Sequence, residues 1–138
     1  MDNNYSIHEK FLENLAKAYT EYNAEYIIHS LADNFHYNSL WVAAPDLQKE
    51  DYIKYIIGKL ETMRRSNSKF NFCIMYVQGS GEPHLLFTPK SPNGDFGCFV
   101  VKINSDGLAE ELSLTSSSFY SHGYKDKEKF DAFMAKAQ

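Results

Sequence analysis

The spacing of apolar residues predicts helices in the first part of the chain. Between residues 6 and 22 they recur every three to four positions, which is typical of a helix with one buried face. Ser6 and Glu9 are spaced as in a capping box, whose side chains satisfy the free N–H groups at a helix start. A shorter second helix is predicted over about residues 24–32. It ends at Asp33-Asn34, because both side chains compete for local backbone hydrogen bonds.

The spacing of apolar residues changes in the next segment from a helical period to alternation. Residues 35–41 alternate between two faces, which predicts the first strand. A long third helix is then predicted from residue 46 or 48 to about residue 65, where arginines lie near the favourable end of the helix dipole. Its predicted buried stripe consists of Ile53, Ile56, Ile57, Leu60 and Met63.

The second half of the chain is a run of strands. Apolar segments at 69–78, 84–90 and 96–104 are separated by short stretches rich in Gly, Ser, Pro and Asn. The turn Asn104-Ser105-Asp106-Gly107 leads into a last strand that ends at Thr115, because Gly supplies the positive φ that a hairpin turn requires. A final helix is predicted over about residues 126–137. Helices that precede such a meander pack on one face of an antiparallel sheet, so the order predicts an α+β fold.

Length and composition limit the classes of protein. The 138 residues fit one domain over 1–138, with a core at 6–115 and a C-terminal extension at 116–138. Net charge is −4 and the basic residues are scattered, which disfavours nucleic-acid binding. No apolar run approaches the roughly 20 residues of a membrane span, and the first residues do not resemble a signal peptide. Cys73 and Cys98 lack CxxC spacing, so we expect free thiols in the cytoplasm.

The order of elements resembles the nuclear-transport-factor-2-like superfamily, in its SnoaL-like and ketosteroid-isomerase-like group. The resemblance lies in Tyr22-Asn23-Ala24 at the end of the first helix, in Ser30-Leu31-Ala32-Asp33-Asn34-Phe35, and in the long third helix followed by the meander. It implies a cystatin-like cone, in which a curved antiparallel sheet wraps around the N-terminal helices, here with an extra C-terminal helix. Superfamily members include isomerases, cyclases, dehydratases and epoxide hydrolases, and others that only bind or associate.

The catalytic residues of ketosteroid isomerases are mostly missing from this chain. By the resemblance, the general-base Asp falls on Ser39, whose hydroxyl cannot take a carbon-bound proton without a base of its own. Tyr19 lies near the place of the family's oxyanion tyrosine. No Asp occurs within residues 96–104 to supply the second acid. We therefore reject the isomerase chemistry.

Two other side chains are candidates for catalysis together with Tyr19. Glu110 shares its parity with Leu112 and Leu114, so it could point into an apolar cone with a raised pKa. A bulge beside the turn would instead leave it in water, and we favour that interpretation. His36 has the opposite parity to Tyr37, which places it on the outer face of the sheet. No histidine spacing matches a metal site, so we expect neither a metal nor another cofactor.

Aromatic residues with a few hydroxyls suit a binding pocket. If the cone exists, its predicted lining is Tyr19, Tyr22, Tyr37, Ser39, Trp41, Ile56 and Leu60. Periodicity cannot distinguish an open cone from a filled core, so we keep both alternatives.

The outer face of the sheet needs a cover, because residues 70–77 and 96–103 are apolar on both parities. The family resemblance suggests a homodimer packed sheet to sheet, whereas the terminal helix could instead fold over this face.

Our leading hypothesis is a small-molecule-binding domain for an apolar ligand. The second is a SnoaL-like enzyme of isomerase, cyclase or hydrolase type. The third is an association or immunity-type module that uses acidic loops around residues 46–51 and 126–131.

Overall fold

The fold consists of four helices and one six-stranded sheet. The computed structural model describes residues 5–39, 46–89, 97–115 and 123–135. In chain order the elements are α1 (Ser6–Glu21), α2 (Glu25–Ile28), β1 (Leu31–Ser39), β2 (Leu47–Gln48), α3 (Lys49–Ser66), β3 (Phe70–Tyr76), β4 (Pro83–Pro89), β5 (Gly97–Ile103), β6 (Ala109–Thr115) and α4 (Lys127–Ala135). The predicted α+β order and the extra C-terminal helix are confirmed.

The strands are ordered β2-β1-β6-β5-β4-β3 across the sheet. Neighbouring strands are antiparallel except for β1 and β6, which pair in parallel. The hairpin between β5 and β6 forms as predicted: Gly107 has φ +81° and its N–H donates to the Asn104 carbonyl at 3.0 Å. This turn brings β6 into the middle of the sheet, where it joins the meander to β1.

The predicted capping box of α1 is wrong. Ser6 is already the first helical residue, and Tyr5, which precedes it, makes no side-chain cap. The carboxylate of Glu9 instead accepts a hydrogen bond from the hydroxyl of Tyr76 on β3. The helix ends at Glu21, and the capping residue Tyr22 adopts the left-handed conformation with φ 54°.

The second helix is shorter than predicted, because strand pairing competes for its last residues. Leu31 pairs with Ala109 of β6 and is buried, as is Ala32. Asp33 and Asn34 are exposed within an irregular stretch of β1, between the paired residues Leu31 and His36. Burial of two apolar residues and a ladder to β6 therefore outweigh local helix propensity.

The main core lies between the helices and one face of the sheet, which we call the inner face. Helix α1 packs on β3, β4 and β5, and α3 packs on β1. Register assigns alternate strand residues to this face, including Tyr37, Leu112 and Val101 on three adjacent strands. Tyr37 and Ser39 therefore face inward and His36 outward, as their parity predicts.

Helix α4 covers part of the outer face of the sheet. Its Phe130 and Phe133 join a second buried cluster with Met75, Leu86 and Cys98 of β3, β4 and β5. Lys129 Nζ also donates to the carbonyl of Ile74 at 3.0 Å. The strands here are apolar on both faces because each face has a helical cover.

Cys73 and Cys98 do not form a disulfide, and Cys98 is buried. Cys73 and Cys98 each pair with Leu86, so they lie two strands apart. Two strand spacings amount to about 9.5 Å, which exceeds the usual Cα separation in a disulfide.

Of the described helices, none has both the length and the apolar character needed to cross a membrane.

Candidate functional site

A small cavity lies between α1, α3 and the inner face of the sheet. Its volume is about 50 Å³, and it is lined by Tyr19, Lys59, Phe70, Phe72, Phe87, Phe99 and Leu114. A single buried water needs at least about 10–15 Å³, whereas pockets for drug-sized ligands measure about 300–1,000 Å³. The cavity can therefore hold a few atoms or the end of a ligand.

Stacked and edge-on aromatic rings form the walls of the cavity. Phe87 and Phe99 stack with ring centroids 5.1 Å apart, and Phe70 meets Phe87 edge-on at 5.5 Å. Tyr19 closes the helix side, 5.7 Å from Phe99 and 6.0 Å from Phe72. The phenylalanine rings come from alternate positions on adjacent strands, so the backbone register determines their spacing.

Tyr19 is the phenol in this wall. It is 6% exposed, and burial raises its pKa well above the usual tyrosine range, with further contributions from the nearby Tyr52, Tyr37 and Tyr55. The side chain therefore stays protonated at neutral pH. It can donate a hydrogen bond to a ligand but cannot act as a base.

A cluster of tyrosines fills the neighbouring part of the cone. Tyr52 lies 4.8 Å from Tyr37 and 5.1 Å from Phe35, measured between ring centroids, and Tyr55 stacks on Tyr37 at 5.7 Å. The Tyr52 hydroxyl is buried without a hydrogen-bond partner among the described residues. Burial also raises the pKa values of Tyr52 and Tyr37. This side of the cone is thus packed core.

Of the residues predicted to line the pocket, some lie at the cavity and others lie in the core or outside it. Tyr19 lines the cavity, whereas Ile56 and Leu60 are buried in the surrounding core. Ser39 faces inward in register with the cavity residue Leu114. Tyr22 is half-buried outside the cavity, where its hydroxyl donates to the Ser68 carbonyl at 2.6 Å. Trp41 lies outside the described residues.

Sequence reasoning missed most of the cavity wall. The missed residues are Lys59, Phe70, Phe72, Phe87, Phe99 and Leu114. A signal was present for the phenylalanines, since Phe70 and Phe72 share one parity of an apolar strand. Register now pairs Phe72 with Phe87 on the inner face.

His36 belongs to a polar cluster on the outer face. Its Nδ1 lies 3.2 Å from Asp46, and its Nε2 lies 3.9 Å from Glu111. Burial acts to raise the pKa of Glu111, but the hydrogen bonds from Asn38 and Lys102 and the charges of Lys102 and His36 hold it below the usual value. His36 is thus separated from the cavity by the sheet.

Glu110 lies at a β-bulge beside the hairpin turn. Lys102 pairs with Glu111 and the next residue, Ile103, pairs with Ala109, so Glu110 has no partner in the β5 ladder. The favoured bulge is therefore present, and Glu110 is half-buried. The cavity residue Leu114 follows four positions later, about 13 Å along the strand.

The structure does not bring Tyr19, His36 and Glu110 together into one acid–base site. Tyr19 is at the cavity, His36 is on the opposite face of the sheet, and Glu110 is at the turn end of β6. Across the ranges with described side chains, no three His, Cys, Asp or Glu residues are grouped closely enough to bind a metal ion.

Comparison with known proteins identifies the fold. No family model and no curated protein sequence matches this chain. Among solved structures, a steroid delta-isomerase from Pseudomonas aeruginosa superposes with a TM-score of 0.60 at 9% identity, over 96% of this chain and 89% of that one. A putative isomerase of the SnoaL-like family from Agrobacterium tumefaciens C58 gives 0.51 at 18% identity, over 79% and 96%.

An NTF2-like protein of unknown function from Exiguobacterium sp. 255-15 gives a TM-score of 0.53 at 12% identity, over 80% of this chain and 97% of that chain. At such identities the likeness concerns the fold. The chain therefore shares the cystatin-like cone fold of these NTF2-like and SnoaL-like structures.

Proposed function

With this cone fold as the premise, we propose that the protein is a SnoaL-like domain that binds a small apolar ligand in the aromatic cavity. The observation that carries this proposal is the cavity of about 50 Å³ among Tyr19 and four phenylalanines. An apolar group that enters this space gains van der Waals contacts with the surrounding rings.

The binding site combines the cavity with its surroundings. Tyr19 supplies a hydrogen-bond donor, and Ser39 extends the inner face beside Leu114. Tyr37, Ile56 and Leu60 support the wall from the packed core, while Tyr22 anchors the end of α1. Trp41 follows Ser39 by two residues in the sequence and serves as a reporter of binding. Residues 6–115 form the binding unit of a single domain, and residues 116–138 are an extension.

Tryptophan fluorescence tests the proposal, because Trp41 is the single tryptophan. Small apolar compounds should change the emission of the wild-type protein, and Leu114→Phe should weaken the response by filling the cavity. Ile57→Phe is the matched control, since Ile57 is 50% exposed on α3. An equal response in both variants, or no response to a broad apolar library, contradicts the proposal.

We assign no reaction to this site. Catalysis by a SnoaL-like enzyme would require an acid or base close to a bound substrate, and the candidates Glu110 and His36 are separated from Tyr19 as described above. The lack of a disulfide between Cys73 and Cys98 supports a proposed cytoplasmic location, where disulfides are rare.

We also propose that the domain forms a homodimer through the part of the outer sheet face that α4 leaves uncovered. This part belongs to β1 and β6 and carries Asn38, Glu111 and Ser113, with Lys102 beside them on β5. Sedimentation equilibrium should show a dimer. Lys102→Glu should weaken this dimer, because the new carboxylate would lie beside that of Glu111. Lys127→Glu on α4 is the control, and a wild-type monomer contradicts the proposal.

A further inference from the structure

Lys59 is the charged residue in the cavity lining. It projects from α3, is half-buried, and its Nζ lies 6.0 Å from the centroid of the Tyr55 ring. The other six lining residues are apolar or aromatic. A cation at the edge of an apolar wall favours ligands that carry a negative charge.

No acidic residue in the described ranges forms an ion pair with Lys59. Other basic residues are paired, including Lys49 with Asp33, Arg64 and Arg65 with Glu61, and Lys102 with Glu111. The residues three and four positions from Lys59 on α3 are Tyr55, Ile56, Thr62 and Met63. None of these is an acid, so the ammonium remains available for an anion from solution.

The surroundings make an anion at Lys59 more strongly bound than one on the open surface. Charges interact more strongly where protein displaces water, because the effective dielectric constant falls. The chain has a net charge of −4, so its overall field does not attract anions. Anion binding would therefore depend on Lys59 itself.

From this arrangement we propose that the cavity ligand is a small apolar monocarboxylate. Its carboxylate pairs with Lys59 Nζ, and its apolar end enters the space between Tyr19 and the phenylalanine rings. A single lysine matches the single charge of a carboxylate, whereas a dianion such as phosphate would need further donors. The volume of about 50 Å³ restricts the inserted end to a few carbon atoms. This inference rests on the proposed ligand-binding function.

Matched pairs of acids and amides test the class of ligand. Pentanoate is compared with pentanamide, and butanoate with butanamide, by following ¹H–¹⁵N chemical shifts of the full chain at pH 7 during titration. We expect each carboxylate to bind about tenfold more tightly than its amide, as for a partly desolvated charged contact. Equal affinities for acid and amide would overturn the inference and leave the proposed function intact.

Two lysine variants show whether Lys59 carries this preference. Lys59→Met keeps most of the side-chain volume and should abolish the preference for the acid while the amides still bind. Lys54→Met removes an exposed charge from the same helix and should preserve the preference. A preference that survives Lys59→Met would overturn the inference. Absence of binding by all four compounds to the wild type would overturn the proposed function as well.

Discussion

The imidazole of His84 and the phenol of Tyr124 are partners in the buried layer beneath α4, with Nδ1 and Oη 3.2 Å apart. The same phenol donates toward Cys98 Sγ at 3.7 Å. Glu82 lies 3.8 Å from His84 Nε2 on the other side of the ring. This polar chain lies between the apolar side chains that attach the C-terminal helix to the sheet, so its protonation state is coupled to folding.

Stability should fall as the solution is acidified, because His84 is neutral in the folded protein. Burial lowers the pKa of His84 from 6.5 to about 4. The unfolded chain therefore binds the extra proton first. The contribution of His84 to stability is complete above about pH 6.5 and is lost as the pH falls through 4, by about 3 kcal/mol in all. Urea denaturation at a series of pH values measures this loss.

The His84→Gln variant should flatten this dependence, because the amide does not titrate. His29→Gln is the control, since the His29 side chain is 75% exposed. Burial raises the pKa of Glu82, which acts in the opposite direction, so the difference between wild type and His84→Gln isolates the histidine. An unchanged pH profile in His84→Gln would show that His84 is not responsible.

Removal of one cavity ring should cost far more than removal of an exposed side chain. Phe99→Ala deletes a buried ring that is 2% exposed and enlarges the cavity, so we expect a loss of about 3–5 kcal/mol in the free energy of unfolding. Ile57→Ala should cost less than about 1 kcal/mol, because Ile57 is 50% exposed and its predicted place in the buried stripe of α3 is wrong. Chemical denaturation compares the two. Similar losses would argue against the packing described for the cavity wall.

Two Tyr→Phe substitutions should differ in their effects. Tyr52→Phe removes a buried hydroxyl that lacks a partner among the described residues, so stability should stay constant or rise. Tyr22→Phe removes the hydrogen bond to the Ser68 carbonyl and should cost about 1 kcal/mol. The free energy of unfolding in urea distinguishes these outcomes. A substantial loss in Tyr52→Phe would mean that its hydroxyl has a partner.

The same Gly→Ala substitution should have opposite effects at two positions. Gly107 has φ +81°, so Gly107→Ala should destabilise the hairpin by about 1–2 kcal/mol. Gly58 lies within α3, and an added Cβ would meet nothing within 4 Å. Gly58→Ala should therefore stabilise the protein by about 0.5–1 kcal/mol. Thermal unfolding measures both changes, and effects of the same sign would contradict the assigned backbone conformations.

Local chemistry explains why much of the fold was predictable from the sequence. The turn at Asn104–Gly107 depends on a glycine that accepts positive φ, and the long third helix depends on regular apolar spacing. Contacts distant in sequence explain the errors. Leu31 and Ala32 belong to β1 rather than to the predicted second helix, because Leu31 pairs with Ala109 of β6 and both residues are buried. Glu9 does not cap α1, because its carboxylate accepts a hydrogen bond from Tyr76.

The cavity could be predicted only in part for a related reason. Alternation places Phe72 and Tyr37 on one face of the sheet, but it does not tell which of them borders a space. That difference arises because Tyr52 and Tyr55 pack against Tyr37, whereas Phe72 faces the gap beside Tyr19. Lys59 was missed because one lysine on an amphipathic helix has no distinguishing pattern in the sequence.

The most direct test of ligand binding in the cavity is an intermolecular nuclear Overhauser measurement on protein labelled at the leucine methyl groups, with pentanoate as the probe. We predict cross-peaks from the aliphatic end of the probe to Leu114, which lines the cavity, and none to the turn residue Leu108. Saturating probe that gives no cross-peak to Leu114, or equal cross-peaks to both leucines, would contradict binding in this cavity.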